Sequence, residues 1–297
     1  MTPKVSVIMP CYNEPIDIFR RSLSSVVAQT LCQVAGAVEV IIVLDKPDNI
    51  ELAEIIWEYK REFDNIVFLT PEKNLGRGNA RNLALSVAQG DYIAIHDADD
   101  VDVPERLEQQ LNYAHQTGAN VLFSNIRFVN AEWNQTEYQP RARVNTSHPS
   151  YFRKFINHTT MFSKRETPLK YGGYPDRKYL EDTELWIRMF LWGEKFHSME
   201  RIHSDYLIPQ ESEHSEYVAK MKRWNWEAIK ISLKYGKHFL DDKYFYRYFA
   251  FTLLNQFFLQ FGRKGHNLWM KTMRATMQNL RNIKKWFLRN QSHTEKS

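Results

Sequence analysis

A short apolar run that ends in three carboxylates constrains the fold of this chain more than any other feature. Residues 92–95 read Tyr-Ile-Ala-Ile, as expected of a buried strand, and Asp97, Asp99 and Asp100 follow closely. Open α/β sheets bind ligands beyond the C-terminal ends of their strands. Like charges packed this closely repel each other unless a cation or solvent separates them, and Mg²⁺ and Mn²⁺ take carboxylate oxygens together with phosphates. The stretch predicts a metal–diphosphate site; a solvated acidic turn is the alternative.

The residues on either side of this run predict a helix before it and a helix after it. Gly90 suits the C-terminus of the preceding helix, and Pro104 suits the first turn of the next one. Asp102 and Glu105 have the spacing of a capping box at that second helix.

Predicted strands and helices alternate through the first 120 residues. Apolar runs of strand length occur at 5–9, which Pro10 ends, and at 38–44 and 66–69. Apolar residues recur at helical spacing over 19–31, 50–59 and 80–87, with a turn at 74–79 before the last. This alternation is typical of a parallel sheet with helices on both faces, so the predicted class is α/β.

The second half of the chain is less regular. The pattern predicts strands at 121–123, 126–129 and 158–162, a long polar loop at 131–150, a turn at 171–175 and a helix that opens at 181–182. From residue 216 onward it is helical. The expected organisation is an α/β domain over residues 1–215 and a basic, amphipathic helical region over residues 216–297.

The composition is that of a globular protein, with 43% hydrophobic and 25% charged residues. The two cysteines imply no disulfide framework. The first residues form no apolar signal segment, and no run of eighteen apolar residues occurs that could span a bilayer. These features predict a cytoplasmic protein.

The net charge of +5 is concentrated near the C-terminal end. Residues 260–297 contain nine Lys or Arg and one acid, whereas the rest of the chain has a net charge of −3. Over 266–289 apolar residues recur at steps of three and four between basic flanks, namely Leu268, Trp269, Met273, Met277, Leu280, Ile283 and Phe287. Such a helix can lie peripherally on an anionic membrane surface, or its apolar stripe can pack on the protein, for which 244–261 offers an aromatic surface. No nucleic-acid partner is predicted, because the N-terminal half lacks interleaved aromatic and basic residues.

Five motifs in a fixed order resemble those of a known family. They are Val-Ser-Val-Ile-Met-Pro-Cys-Tyr-Asn-Glu at 5–14, Asn-Leu-Gly with Ala-Arg-Asn at 74–82, Gly-Asp-Tyr-Ile-Ala at 90–94, Asp-Ala-Asp-Asp at 97–100 and Glu-Asp-Thr-Glu-Leu-Trp-Ile-Arg at 181–188. The chain is similar over about residues 5–206 to the family 2 glycosyltransferases, in particular bacterial enzymes that build surface polysaccharides such as O-antigen, capsule and lipooligosaccharide. The resemblance implies a GT-A fold, a Rossmann-like nucleotide-binding sheet with helices on both faces, here followed by a C-terminal helical region.

The resemblance implies a site for a nucleotide-sugar donor in the N-terminal half. Its residues here would be Pro10, Tyr12, Glu14, Asp45, Arg81, Asp97 and Ala98. Tyr12 would stack on the base, for which a flat apolar ring is suited, and Asp45 would accept a hydrogen bond from the base. The usual Asp-Asp-Gly of the family is replaced here by Leu44-Asp45-Lys46. A loop tyrosine and a turn aspartate are the alternatives for these two positions.

The resemblance also implies how the diphosphate is held. Asp99 and Asp97 would bind Mn²⁺ or Mg²⁺, with Asp99 as the direct ligand. The alternatives are that Asp97 faces the ribose and that Asp100 acts through water. Arg81 could place a bidentate guanidinium on the phosphate oxygens, with Arg77 as the competing candidate and a surface arginine as the alternative. His96, at the end of the predicted strand, is expected to be structural.

Asp182 matches the catalytic base of the family. A carboxylate at the start of a helix is stabilised in its charged form by the helix dipole, although Asp182 could equally be a plain N-cap. Glu181, Trp186 and His158 are candidates for acceptor contact, and for Trp186 and His158 a place in the core is the alternative.

The expected activity is therefore that of an inverting, metal-dependent glycosyltransferase of hexosyl or N-acetylhexosaminyl groups. It would move a sugar from a UDP-linked donor to a saccharide or lipid-linked acceptor. A sugar-nucleotide nucleotidyltransferase is the nearest alternative, but Met9 to Asn13 is not a glycine-rich, basic triphosphate loop. A non-catalytic carbohydrate-binding subunit would not need both Asp99 and Asp182.

Overall fold

The structure is a computed structural model that describes residues 4–136, 157–208, 214–239, 243–261 and 267–272. The chain divides into two compact units, Met1–Gln210 and Glu211–Ser297.

The N-terminal unit is an α/β structure built on one eight-stranded sheet, which confirms the predicted class. Its strands are β1 Val5–Cys11, β2 Val38–Leu44, β3 Ile66–Leu69, β4 Tyr92–Ile95, β5 Val101–Asp102, β6 Val121–Val129, β7 Phe162–Lys164 and β8 Phe196–Leu207. Its α-helices are α1 Ile16–Val27, α2 Ile50–Glu62, α3 Arg77–Val87, α4 Arg106–Thr117, α5 Glu166–Lys170 and α6 Glu181–Leu191. Short 3₁₀ turns occur at Thr30–Gln33 and His158–Thr160.

The sheet order is β3-β2-β1-β4-β7-β6-β8-β5. The first four strands run parallel, with Ile8 of β1 paired with Ile41 of β2 on one side and Ile95 of β4 on the other. β7 is antiparallel to both β4 and β6. Because β1, β2 and β4 are parallel neighbours, the segments that follow them emerge at the same edge of the sheet.

Two apolar layers cover the two faces of this sheet. Alternate side chains of β1 point to opposite faces, so Val7 and Met9 belong to a layer that includes residues of α1, α2 and α4. Ile8 belongs to the other layer, which includes residues of α3 and α6. The fully apolar β2 is buried along its whole length, as expected of a strand that is covered on both faces.

The predicted end of β1 at Pro10 was wrong, since the strand continues through Cys11. Proline lacks a backbone N–H, and Pro10 lies beyond Ile8, the last residue of β1 that pairs with β4. Pro10 pairs only with Val43 of β2, so the missing donor is tolerated there.

Gly90 does not end a helix, since α3 ends at Val87 and Ala88 is its C-cap. A Cβ atom at Gly90 would lie 2.6 Å from the backbone nitrogen of Ser6. The Gly90 N–H donates to the Ser6 hydroxyl at 2.8 Å, and the Ser6 hydroxyl donates to the Glu39 carboxylate. Glycine is therefore needed here for close approach of two backbones rather than for a helix cap.

The predicted capping box at Asp102 and Glu105 was also wrong. Helix α4 begins at Arg106, and Glu105 makes no side-chain capping bond. The Asp102 carboxylate instead accepts from Arg106 at 2.7 Å and bonds Nδ1 of His96 at 2.9 Å. Burial opposes the charge of Asp102, but Arg106 and His96 outweigh it and its pKa lies below the usual value. His96, whose Nε2 bonds the Ser22 hydroxyl at 2.8 Å, is fully buried and structural.

The sequence pattern did not predict β8. It also divided β6 into two strands and placed the strand at β7 too early in the chain. β8 is a twelve-residue strand whose sequence is mostly polar, and only a minority of its residues are buried. The two strands predicted at 121–123 and 126–129 are one strand, β6, with an irregular register at Ser124–Asn125. The strand predicted at 158–162 is a 3₁₀ turn followed by β7. Of the predicted loop at 131–150, residues 137–150 lie outside the described residues.

Within the described residues of the C-terminal unit, two long helices occur, α7 His214–Tyr235 and α8 Lys243–Phe258, in agreement with the predicted helical pattern. Asn225 of α7 donates to the carbonyl of Thr252 at 2.7 Å and accepts from the amide of Asn255. No helix in the described residues is long and apolar enough to cross a membrane.

The first part of the predicted amphipathic stripe packs on α8. The Trp269 ring stacks on Phe258 at a centroid distance of 4.9 Å and also contacts Phe251. Residues 273–289 of the stripe lie outside the described residues.

Gly90→Ala is expected to lower the free energy of unfolding by about 1–3 kcal/mol, because the added methyl group overlaps the backbone of Ser6. Urea unfolding with an unchanged m-value measures this loss. Ser86→Ala, at an exposed position of α3, serves as the control and should change the free energy by less than about 0.5 kcal/mol. Equal stability of the two variants would contradict the close-approach explanation.

Candidate active site

The candidate site is formed by the segments that follow β1, β2 and β4, together with the start of α6. The segments after β1 and β2 are joined directly, since the Asp45 N–H donates to the Cys11 carbonyl at 2.8 Å. His96, the first residue after β4, donates its N–H to the Ile8 carbonyl of β1 at 3.0 Å. The parallel sheet thus brings Tyr12, Asp45 and Asp97 to one edge.

The loop after β1 presents an exposed aromatic ring. The Tyr12 side chain is 49% exposed, and its N–H donates to the Glu14 carboxylate at 2.7 Å. The Lys46 ammonium lies 5.8 Å from the centre of the Tyr12 ring and donates to the Asn13 side chain at 2.7 Å. A flat ligand could stack on this ring, with a cation beside it. Pro10 is half-buried below this loop.

The Asp45 carboxylate is buried and already holds a loop. It accepts from the N–H groups of Leu75 at 2.6 Å and Gly76 at 2.8 Å, and from the Asn74 side chain at 3.0 Å. Three of its roughly four acceptor positions are therefore used. Asp45 fixes the turn that leads into α3, where Gly76 adopts φ 79°, and at most one oxygen position remains for a base.

Arg81, which was predicted to be able to contact the diphosphate, is buried in this structure. One terminal nitrogen donates to Asp97 at 2.8 Å and the other donates to Glu181 at 2.9 Å. Its side chain is only 5% exposed, whereas that of Arg77, one turn earlier on α3, is 63% exposed. The competing candidate Arg77 is thus the arginine that an incoming ligand can reach.

The carboxylates after β4 differ in their electrostatic surroundings. Burial opposes the charge of Asp97, but the Arg81 guanidinium outweighs it, and the pKa of Asp97 is lowered. Burial, followed by the charges of Asp97 and Glu14, raises the pKa of Asp99 to about 6. Burial, followed by the charges of Asp99 and Asp97, raises the pKa of Asp100 well above its usual value. Ala98, between these acids, is buried.

This acidic cluster fits a hard divalent cation. No three Asp, Glu, His or Cys side chains form a complete metal cage in the part of the chain that the structure describes. Mg²⁺ is usually held by one or two carboxylates, with substrate phosphates and water as the other ligands. Asp99 and Asp97 supply such oxygens, and after burial it is the charges of Asp97 and Glu14 that raise the pKa of Asp99, as expected where carboxylates lie close together.

Asp182 lies in the first turn of α6, which begins after Leu180 in the left-handed conformation at φ 63°. The half-buried Asp182 carboxylate accepts from the Thr183 N–H at 2.6 Å and from the Thr183 hydroxyl at 3.2 Å. Asp182 therefore stands beside the cluster as a partly accessible carboxylate.

His158 adjoins Asp182 but is held neutral. Its Nε2 bonds the Tyr174 hydroxyl at 3.1 Å, and its ring contacts Trp186 at 5.5 Å between centroids. Burial, and after it the charge of Arg81, lowers the pKa of His158 to about 4, although Asp182 and Asp97 oppose the shift. The Nδ1 atom is buried without a hydrogen-bond partner among the described residues.

All three candidate acceptor contacts, His158, Trp186 and Glu181, are buried in this structure. Trp186 is 2% exposed and packs edge-on against Phe123 in the core, so the core alternative for this tryptophan is the one observed. Glu181 is buried, and its carboxylate binds Arg81. Trp186 and Glu181 therefore support the site from inside the protein.

The sequence missed the roles of Asn82 and Tyr174. Asn82 donates to the Tyr174 carbonyl and accepts from the Tyr174 N–H, both at 2.8 Å. Gly173 adopts φ 65° in this turn, where a Cβ would lie 2.6 Å from the Asn82 side-chain oxygen. The Ala-Arg-Asn motif and the Gly-Gly-Tyr turn were both visible in the sequence, but their contact spans about ninety residues.

The low pKa of His158 predicts a loss of stability in acid. Because the pKa of the folded state lies below the ordinary value of about 6.5, the unfolded chain binds the proton first. The stabilisation is complete above about pH 6.5 and falls as the pH approaches 4. Between pH 7.5 and pH 5, His158→Gln should lose about 2 kcal/mol less stability than the native chain. Urea unfolding at both pH values measures this, and parallel losses would contradict the assignment.

Comparison with known proteins identifies the family of this chain. The family model described as glycosyl transferase family 2 matches residues 6–173. An uncharacterised glycosyltransferase of Methanocaldococcus jannaschii is 35% identical over 86% of this chain and 89% of its own length. The O-antigen biosynthesis glycosyltransferase WbnJ of Escherichia coli is 30% identical over 62% of this chain and 71% of its own.

Among solved structures, residues 1–349 of S. aureus TarS in complex with UDP-GlcNAc superpose with a TM-score of 0.59 at 20% identity. The match covers 75% of this chain and 66% of that one, so this chain spans about two thirds of the TarS fragment. The similarity confirms the expected GT-A fold. The motifs expected of this fold lie together at one edge of the sheet. The chain belongs to glycosyltransferase family 2.

Proposed function

We propose that this chain is an inverting glycosyltransferase that moves a sugar from a UDP-linked donor to a saccharide acceptor in surface-polysaccharide synthesis. One observation carries the proposal: Asp182 is the second residue of a helix whose first residue, Glu181, shares Arg81 with Asp97 of the donor-side cluster. A single-step displacement needs a base and a leaving-group site in one place. The O-antigen role of the WbnJ relative supports the acceptor class.

The donor lies along the edge of the sheet. Tyr12 stacks on the base, and the remaining oxygen position of Asp45 accepts from it. The UDP-GlcNAc complex of the similar TarS structure supports a uridine nucleotide. The sugar is a hexosyl or N-acetylhexosaminyl group.

Asp182 acts as the general base. Its carboxylate accepts the proton of the acceptor hydroxyl while that oxygen attacks the anomeric carbon from the side opposite the diphosphate. Because His158 is neutral, it adds no positive charge that would compete with the acceptor proton for the Asp182 carboxylate. Attack from the opposite side inverts the configuration at the anomeric carbon.

Asp99 and Asp97 hold a divalent cation, Mn²⁺ or Mg²⁺. When bound, the cation supplies positive charge that stabilises the departing diphosphate. Burial is the largest cause of the raised pKa of Asp99, and the charges of Asp97 and Glu14 come next. A bound cation would offset the repulsion among these three carboxylates.

We further propose that the C-terminal unit rests on an anionic membrane surface. Leu253, Phe257 and Phe261 recur at steps of four on α8 and the turn that follows it, and all three are exposed. The excess of Lys and Arg over residues 260–297 would add attraction to anionic lipid. A membrane location suits an acceptor that is linked to lipid.

Asp182→Asn should reduce transfer by about 10² or more, because it keeps the shape of the side chain and loses the proton acceptor. Donor binding, measured by calorimetry, should persist. Asp176→Asn makes the same change at a nearby exposed aspartate and should leave transfer unaltered. Near-native transfer by the Asp182 variant would show that Asp182 is only part of a helix cap.

Asp99→Ala should reduce turnover by about 10² or more and remove the dependence of donor binding on Mn²⁺. Asp64→Ala, at an exposed loop position, is the control. Calorimetric titration of the donor with Mn²⁺ and with a chelator checks the claim. Native turnover in the chelator would refute the metal assignment.

Phe257→Asp should weaken binding of the full chain to vesicles of anionic phospholipid at low salt. The substitution removes apolar area that would be buried in the membrane and adds a negative charge that anionic lipid repels. Ile50→Asp, an exposed apolar position on α2, should bind as the native chain does. Co-sedimentation measures both. A native chain that ignores anionic vesicles would refute the membrane proposal.

A further inference from the structure

Arg81 is the most heavily engaged cation at the site. Its terminal nitrogens bind Asp97 and Glu181, and its guanidinium lies 5.5 Å from the centre of the Tyr174 ring. Although burial disfavours its charge, Asp97 and Glu181 raise the pKa of Arg81. A buried guanidinium with two carboxylate partners has little freedom to turn toward a ligand.

Arg77 lies on the same face of α3, because residues four apart in a helix are neighbours. It is the first residue of α3, and its Nε is 3.7 Å from the Glu181 carboxylate, a weak contact at 63% exposure. Its charge nevertheless lowers the pKa values of Asp97 and His158. Arg77 therefore faces the same cluster from the solvent side, next to the free N–H groups of a helix N-terminus.

We infer that Arg77 and Arg81 have different roles at this site. Arg77 binds the donor diphosphate, whereas Arg81 is a positioning residue that fastens the start of α6, and with it Asp182, to the end of β4. The inference rests on the proposed function, since it assumes a nucleoside-diphosphate donor and Asp182 as the base.

The different chemistry of arginine and lysine side chains is the reason why we expect that lysine cannot replace Arg81. A guanidinium presents donors in a rigid fork and can bind two carboxylates at once, whereas an ammonium is a compact point charge. In an Arg81→Lys protein the positive charge remains but one carboxylate is released. The start of α6 then loses a fixed partner, and the Asp182 carboxylate next to Glu181 is held less firmly.

The test compares a nucleoside diphosphate with its nucleoside, because their affinity ratio reports contacts to the phosphates alone. Calorimetry with UDP and uridine, in Mn²⁺, gives this ratio for the native chain, Arg77→Met and Arg81→Lys. The ratio should fall about tenfold or more in Arg77→Met, since a charge-assisted contact to phosphate is lost. In Arg81→Lys it should stay within about twofold of native.

Hydrolysis of the UDP-sugar that the native chain cleaves fastest supplies the second readout. In Arg81→Lys the kcat should fall about tenfold or more while KM stays near native, because the base and not the donor site is disturbed. Glu181→Gln, which breaks the other half of the bridge and keeps its volume, should show the same split. It serves as the second variant if Arg81→Lys does not fold.

The outcomes separate the inference from the function beneath it. A fall in the UDP-to-uridine ratio in Arg81→Lys as large as that in Arg77→Met would overturn the inference and return Arg81 to the phosphates. Native kcat in Glu181→Gln would overturn the positioning role. Failure of the native chain to bind UDP or any other nucleoside diphosphate would instead overturn the proposed function, and the inference with it.

Discussion

Three segments that are far apart in the sequence meet at one buried guanidinium. Arg81 on α3 bonds Asp97 at the end of β4 and Glu181 at the start of α6. Without the guanidinium, the half-buried Asp97 would lose the cation that it binds at 2.8 Å, and the buried Glu181 would keep a 3.7 Å contact with the exposed Arg77. Breaking a buried ion pair in this way costs several kcal/mol. Arg77 is exposed beside this junction, and the half-buried Asp182 follows Glu181 directly in the chain.

Much of the N-terminal half could be predicted from the sequence. The apolar run at 38–44 and the alternation of strands and helices are local patterns, and the structure places β2 and the parallel strands there. The rule that ligands bind at the C-terminal ends of parallel strands directed attention to Asp97, Asp99 and the residues after β1. The structure brings these segments to one edge, where their chemistry remains a proposal.

The remainder could not be predicted, because it depends on contacts between distant residues. Arg81 was expected to meet a phosphate, but its partner Glu181 is a hundred residues away. Gly90 has the appearance of a helix end, and only its approach to Ser6 explains it. β8 is a polar, half-exposed strand whose pairing with β6 leaves no clear alternation in its sequence. Helical spacing does not reveal whether Trp186 faces the core or a ligand.

Incubation with a panel of nucleotide sugars in Mn²⁺, followed by quantification of the nucleoside diphosphate released, tests the central claim most directly. The account predicts slow hydrolysis of at least one UDP-sugar, with water in place of the acceptor, and loss of that hydrolysis in the Asp182→Asn protein. Absence of hydrolysis across the panel, together with formation of a nucleotide sugar from a sugar 1-phosphate and a nucleoside triphosphate, would contradict it.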